Sequence, residues 1–317
     1  MNTSLSTPVI SSQLVDNLHR LSAFIGNTPL FPLTRIFQKK GVQLYAKLEW
    51  QQLGGSVKAR PAFNMIAEAI KSGKLFPGRK LLDASSGNTA IAYASVAKAL
   101  GLDVTLIIPE NASSARKIML QALGAELIYS SRFEGTDGAQ IMAAEMALAH
   151  PELYFYSDQY SNPNNWLAHY NHTALEINTQ TKGKVTHFVA GLGTTGTFMG
   201  TGKRLKELNQ QTELISLQPE TAMHGLEGWK HLPTAKVPKF YDPTLADRSL
   251  EVSSDTSYEY IRYAAQLEGL LLSPSAAANL AGAIEVAEQL DEGVVVTIFP
   301  DNSDKYQEIL SQITNRK

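Results

Sequence analysis

The chain has no cysteine among its 317 residues, and that one absence excludes disulfides, thiolate metal sites and a cysteine nucleophile together. Long apolar runs are missing as well: none approaches the roughly 20 residues that cross a bilayer. Neither sign of charge dominates, since 28 lysines and arginines stand against 30 aspartates and glutamates, a formal net charge of −2. A basic stripe for nucleic acid or an anionic membrane is therefore not expected. Residues 1–10 carry no positive cluster and no apolar signal core, which makes the cytoplasm the expected location. There is no low-complexity tract, no short-period repeat and no G-x-S-x-G elbow for an esterase-type serine. Metal ligation lacks a ligand set: His169 and His172 stand at i, i+3 on a helical stretch without a third partner, and read as a solvated or packed pair. His187 falls inside a strand-like run and reads as a satisfied core residue.

What the chain does have is alternation. Hydrophobic residues make up 44% of it, and its length suits two domains or one large α/β domain with an inserted lobe. A short amphipathic segment at 14–24 precedes a turn at Gly26-Asn27-Thr28-Pro29-Leu30. Strand-like runs follow at 42–48, 80–83, 104–108, 126–129, 153–156, 185–190, 214–217 and 294–299. Between them lie helical patterns at 89–100, 113–123, 137–149, 165–178, 197–208, 257–268 and 276–290, with a less regular, proline-containing span at 221–245. Gly101 and Gly124 sit where glycines terminate helices. Short turns between alternating strands and helices predict parallel sheets with helices on both faces. A change of character near 157–165 divides them into two α/β lobes with a cleft between.

Three stretches carry chemistry. The first is Gly54-Gly55-Ser56-Val57-Lys58-Ala59-Arg60, which sets one lysine between a strand and a helix. Pro61 follows in the first helical turn, where a missing N–H costs least. The helix N-terminus and the neighbouring Arg60 both disfavour a protonated amine, as a lysine that attacks carbonyls requires. The second is Ser85-Ser86-Gly87-Asn88-Thr89 after the strand at 80–83. Its hydroxyl and amide side chains, with the free N–H groups of the next helix, form either an anion site or an ordinary N-cap. The third is Gly191-Leu192-Gly193-Thr194-Thr195-Gly196-Thr197, where three glycines and three threonines favour a phosphate. It also matches G-x-G-x-x-G, but a dinucleotide's ribose needs an acidic residue ending the second strand, and that strand ends in Gln218-Pro219, with Glu220 just beyond.

These stretches also carry a resemblance. With Ile25-Gly26-Asn27-Thr28-Pro29-Leu30, Gln159, Asn162-Pro163 and Gln218-Pro219-Glu220, they appear in the order and spacing of the cysteine synthase family. These are pyridoxal phosphate enzymes of the β-family (fold type II), and the chain is most similar to the O-acetylserine sulfhydrylase B branch. The resemblance spans nearly the whole chain. It implies a tryptophan synthase β-like architecture with pyridoxal 5'-phosphate in the cleft. A smaller, mobile substrate-carboxylate lobe at 49–158 and a larger cofactor-phosphate lobe at 20–48 plus 159–317 are implied, with an N-terminal arm at 1–19.

Residue by residue, it implies that Lys58 is the catalytic lysine that carries the cofactor. Gly193, Thr194, Thr195, Gly196 and Thr197 hold the cofactor phosphate, and Ser275 faces the pyridine nitrogen. The rival reading of Ser275 is a cap for the helix starting near Ala276. Ser85, Ser86, Asn88, Thr89 and Gln159 bind the substrate carboxylate, Asn88 lying also near the cofactor ring. The implied reaction is β-replacement on O-acetylserine by sulfide, giving cysteine and acetate, in a homodimer. Cystathionine β-synthase-type chemistry and a non-catalytic cofactor- or partner-binding homologue are the alternatives. Departures from the family pattern are Ala59, Ala90, the stiffer turn Ser273-Pro274-Ser275-Ala276-Ala277-Ala278, and a segment at 224–231 without the paired arginines of members that take phosphorylated serine.

Overall fold

In the computed structural model the described residues run from Ser12 to Asn315. Residues 1–10, read above for targeting, and most of the arm at 1–19 lie outside them. In chain order the chain forms α1 (Ser12–Ser22), β1 (Leu30–Pro32), β2 (Val42–Leu48), α2 (Ala59–Lys71), β3 (Lys80–Ala84) and α3 (Asn88–Ala99). Then come β4 (Val104–Pro109), α4 (Ser114–Ala122), β5 (Glu126–Ser130), α5 (Gly135–Ala149) and β6 (Tyr154–Tyr156). Next are α6 (Asn164–Ala168), a π-helical turn (His169–Thr173), α7 (Ala174–Gln180), β7 (His187–Gly191), α8 (Gly196–Leu208) and β8 (Glu213–Pro219). The chain closes with β9 (Arg248–Val252), α9 (Ser254–Glu268), α10 (Pro274–Glu288), β10 (Gly293–Phe299), a 3-10 turn (Ser303–Lys305) and α11 (Gln307–Asn315).

Two compact units result. One combines the described part of Met1–Ile25 with Lys58–Asn165; the other combines Gly26–Val57 with the described part of Trp166–Lys317. In the first, a four-stranded parallel sheet has the order β5-β4-β3-β6. All of β4 is buried, the continuous apolar run expected of a strand covered on both faces. Leu82 and Ala84 of β3 pack with Ile107 against Ala139 and Ala143 of α5. Successive side chains of a strand point to opposite faces, so Asp83 faces away from α5. Helix α3 is buried from Thr89 to Ala97 apart from Ser95 and packs on β3, β4 and α2. The expected glycine stops are present, with Gly101 and Gly124 both at φ +73°.

The second unit holds a six-stranded sheet in the order β1-β2-β10-β7-β8-β9, parallel except for the β1–β2 pair. Strand β10 lies between β2 and β7, with Val295 opposite Leu44 and Val296 opposite Phe188. Period-2 alternation splits its core. Val189, Ile215, Leu217 and Val295 join the buried alanines of α10 on one face. Phe188, Ala190, Leu214 and Val296 join Ile177, Phe198 and Met199 on the other. Truncating the fully buried Phe188 to alanine should cost about 3–5 kcal/mol.

The structure departs from the sequence expectations in four places. The helix expected at 165–178 is interrupted by the π-helical turn, which separates His169 (1% exposed) from the exposed His172. Strand β9 falls where none was expected, because Arg-Ser-Leu-Glu-Val is a half-exposed edge with charges on it. The turn at 26–30 holds at Gly26 and Asn27 (φ +80° and +50°) but ends in strand from Leu30. Helix α10 starts at Pro274, and its N-cap is Ser273, whose Oγ accepts from Ala276 N at 3.2 Å. Ser275 is thus inside the helix, and its reading as the cap is corrected: proline at N1 needs the cap one residue before it.

Candidate active site

In the first unit, β3 runs into α3 through the 85–89 loop. The N-cap position of α3 is Gly87, and no side chain caps the helix. The ordinary N-cap reading of this loop therefore has no side-chain bond behind it, while a helix N-terminus remains a place for an anion. Ser85, Ser86 and Asn88 are half-buried around them, and Thr89 is buried. The loop is latched to Gln159, 3% exposed, by a hydrogen bond from Thr89 Oγ1 to Gln159 Oε1 of 2.8 Å. Gln159 Nε2 donates to Ala84 O at 3.2 Å, and Gln159 O accepts from Asn165 Nδ2 at 2.6 Å. Four residues expected in one loop and a fifth far along the chain are thereby brought together. Lys58 belongs to the same unit; it is half-buried, adopts helical angles (φ −73°, ψ −13°), and its carbonyl accepts from Ala62 N at 3.1 Å to start α2.

In the second unit, β7 runs into α8 through Leu192, Gly193, Thr194 and Thr195. Steric approach explains two of its glycines. A Cβ on Gly191 would lie 2.0 Å from the Trp229 ring, and one on Gly193 would lie 2.0 Å from Gly228 O. The 225–230 segment is therefore clamped on the loop, and Lys230 N donates to Leu192 O at 2.8 Å. Thr195 is the N-cap of α8 in the left-handed region (φ +68°, ψ −10°), again without a side-chain cap. A β-branched residue pays of order 1–3 kcal/mol to stay there. Thr195 is 2% exposed, and its Oγ1 has no hydrogen-bond partner among the described residues.

The base of this loop is tied to α10. Asn279 Oδ1 accepts from Gly191 N at 2.8 Å, and Asn279 Nδ2 donates to Ile298 O at 2.8 Å. Ser275 precedes Asn279 by four residues, one helical turn along the same face. Ser275 Oγ and Ser273 Oγ lie 3.3 Å apart, both residues buried. Sequence reasoning missed Asn279 and Trp229; His169, read there as one of a solvated or packed pair, is packed, its Nε2 meeting Thr197 Oγ1 at 3.4 Å and its Nδ1 Thr173 Oγ1 at 3.0 Å. It also missed Asp83, though a carboxylate between Leu81-Leu82 and Ala84 at a strand's end was a usable signal. Among the described residues no cluster of His, Asp and Glu is arranged to hold a metal.

Two parallel-sheet units, each offering an uncapped helix N-terminus lined with hydroxyls, define an α/β enzyme for a phosphate-bearing cofactor and an anionic substrate. Residues 21–301 match the family described as pyridoxal-phosphate dependent enzyme, and the chain belongs to it. Within that family it is 43% identical over 289 residues to a cysteine synthase of Aquifex aeolicus, covering 89% of this chain and 88% of that protein. It is 38% identical over 288 residues to cysteine synthase B of Escherichia coli, covering 90% and 93%. Among solved structures, O-acetylserine sulfhydrylase isoform 3 of Entamoeba histolytica superposes with a TM-score of 0.84 at 27% identity, covering 99% of each chain. The resemblance drawn from the sequence motifs is borne out.

The chain's own residues fit the cofactor that this family carries. Thr195 Oγ1 is buried without a partner among the described residues, a state that costs about 1–3 kcal/mol unless a ligand accepts from it. It stands at a helix N-terminus without a side-chain cap, where the first N–H groups have no partner within the helix. The loop from Leu192 to Thr197 holds no acidic residue. A phosphate group answers all three.

Proposed function

We propose that this chain forms L-cysteine from O-acetylserine and sulfide, releasing acetate, and that it works as a cytoplasmic homodimer. The observation that carries the reading is the Thr89–Gln159 latch beside the uncapped start of α3, a carboxylate cradle in a chain whose other unit has a phosphate cradle. Gly193, Thr194, Thr195, Gly196 and Thr197 would hold the cofactor phosphate, and Lys58 would hold the cofactor through its amine. When bound, pyridoxal phosphate supplies the electron sink that stabilises negative charge at the substrate's α-carbon.

The residues' own tasks follow. Ser85, Ser86, Asn88, Thr89 and Gln159 orient the substrate by its carboxylate, so that the α-hydrogen meets the lysine amine. Lys58 Nζ takes the α-proton as acetate leaves the β-carbon, and returns it after sulfide has added there. The 85–89 loop closes on the carboxylate and keeps water from the reactive carbon. Ser275 Oγ would face the cofactor's pyridine nitrogen, where a hydroxyl in place of a carboxylate would temper the electron sink and favour elimination over transamination. In domain terms, the unit with Lys58–Asn165, close to the expected lobe at 49–158, would serve the substrate, and the unit of Gly26–Val57 with the described part of Trp166–Lys317, close to the expected 20–48 plus 159–317, the cofactor. The test is cysteine formation from O-acetylserine with sulfide, run beside O-phosphoserine, and serine with homocysteine. Turnover restricted to serine and homocysteine would replace this reading with cystathionine synthesis.

A further inference from the structure

Asp83 is the one fully buried carboxylate of β3, and the mechanism above gives it no task. It is 0% exposed. Its Oδ1 accepts from Ala84 N at 2.7 Å and its Oδ2 from Gln159 N at 3.2 Å. The Tyr93 hydroxyl, which donates to Ser157 Oγ at 2.9 Å, is a neutral polar group acting on it. The groups acting on it are Tyr93 of α3, Tyr156 of β6, and Asp158 and Tyr160 of the turn that follows; no cation is among them. A buried carboxylate without a cation is expensive and is not a stabilising choice in itself. Its geometry suggests what it does. One oxygen holds the residue that begins the 85–89 loop's approach, and the other holds the residue to which Thr89 is latched.

We propose that Asp83 is a positioning residue for the substrate carboxylate, fixing the 85–89 loop and Gln159 in register through the backbone N–H groups of Ala84 and Gln159. The inference rests on the reading that this loop takes the substrate carboxylate. A carboxyl of this length presents an acceptor oxygen to both N–H groups at once. An amide in its place turns an NH₂ toward one of them, loosening either the loop or Gln159. The remaining bonds of Gln159, to Ala84 O, Thr89 Oγ1 and Asn165 Nδ2, then close on a misplaced backbone.

The test uses the cofactor-loaded protein, with L-alanine, which has no leaving group, as the binding probe in calorimetry. Asp83→Asn should weaken L-alanine binding about tenfold, equivalent to ~1.4 kcal/mol, while cofactor content and visible absorbance stay as in wild type. Because Asp83 acts through the latch, the same substitution in a Thr89→Ala background should cost little more than Thr89→Ala alone. Tyr93→Phe, which removes the hydroxyl that acts on Asp83 and keeps the ring in the core, should weaken binding in the same direction and serves if Asp83→Asn does not fold. Wild-type affinity in the variant that folds overturns the proposal, as does full additivity with Thr89→Ala. If Thr89→Ala alone leaves L-alanine affinity unchanged, the carboxylate reading of the loop falls, and the role of Asp83 falls with it.

Discussion

Asp83 also makes a prediction about stability that is independent of substrate. Burial raises its carboxyl from an ordinary 3.8 to about 7, against the opposing effect of the Tyr93 hydroxyl and the Ala84 N–H. Between those values the folded protein keeps a proton that the unfolded chain has lost. Its folded pKa is raised, so the associated stability is fully present below pH 3.8 and is lost as pH rises through about 7. A tenfold change in proton affinity is worth about 1.4 kcal/mol, so a rise of this size removes about 4 kcal/mol of stability across that window. An asparagine is close in shape to the protonated acid and does not ionise. Asp83→Asn should therefore gain about 4 kcal/mol on wild type between pH 4 and pH 7. A constant penalty of about 1–3 kcal/mol for one unpaired backbone N–H is superimposed. Urea unfolding followed by far-ultraviolet circular dichroism at half-unit pH steps reads the difference. Tryptophan fluorescence would not serve, because Trp50, Trp166 and Trp229 all lie in the second unit. Parallel stability curves for the two proteins from pH 4 to pH 7 would refute the reasoning.

Lys58→Ala should fold normally, since the residue opens α2 without filling a core, yet lose the cofactor's visible band and essentially all turnover; substantial β-replacement in this variant would remove Lys58 from the mechanism. The two loops should fail differently: Thr195→Gly relieves the left-handed strain and should leave the cofactor-free protein at least as stable while weakening cofactor retention by equilibrium dialysis, whereas Thr89→Ala should keep the cofactor and raise the KM for O-acetylserine. Gly193→Ala should abolish cofactor retention, because its Cβ would meet Gly228 O at 2.0 Å, a backbone atom that cannot step aside. Ser275→Asp should depress β-replacement and shift the cofactor's absorbance, while Ser275→Ala keeps appreciable activity; a wild-type spectrum and rate in the aspartate variant would transfer the role to Ser273.

Much of the local structure was written in the order of the residues. The strand Val42–Leu48 shows a buried face through its early alternation, the apolar run of Gly293–Phe299 marks a strand covered on both faces, and the glycines at 101 and 124 stop helices because left-handed backbone suits few other residues. The three chemical stretches are contiguous, so their hydroxyls, glycines and lysine could be read directly. What a linear pattern does not encode is which distant segment arrives next to which. Nothing in Val294-Val295-Val296 says that β10 will insert between β2 and β7, since an apolar strand accepts any apolar neighbour. An edge strand like β9, half-exposed and charged, has too weak a periodicity to be seen before its partner is known. The same holds for the site. The bond from Gln159 N to Asp83 joins residues 76 apart, and that from Gly191 N to Asn279 joins residues 88 apart. Gly191 and Gly193 read as glycines of a phosphate loop, and only the fold shows what a side chain there would meet: the Trp229 ring and the Gly228 carbonyl. Residue type and spacing determined which chemistry was available. The tertiary structure alone decided which side chains hold it in place, because buried hydrogen bonds form only between groups that packing has already brought within about 3 Å of one another.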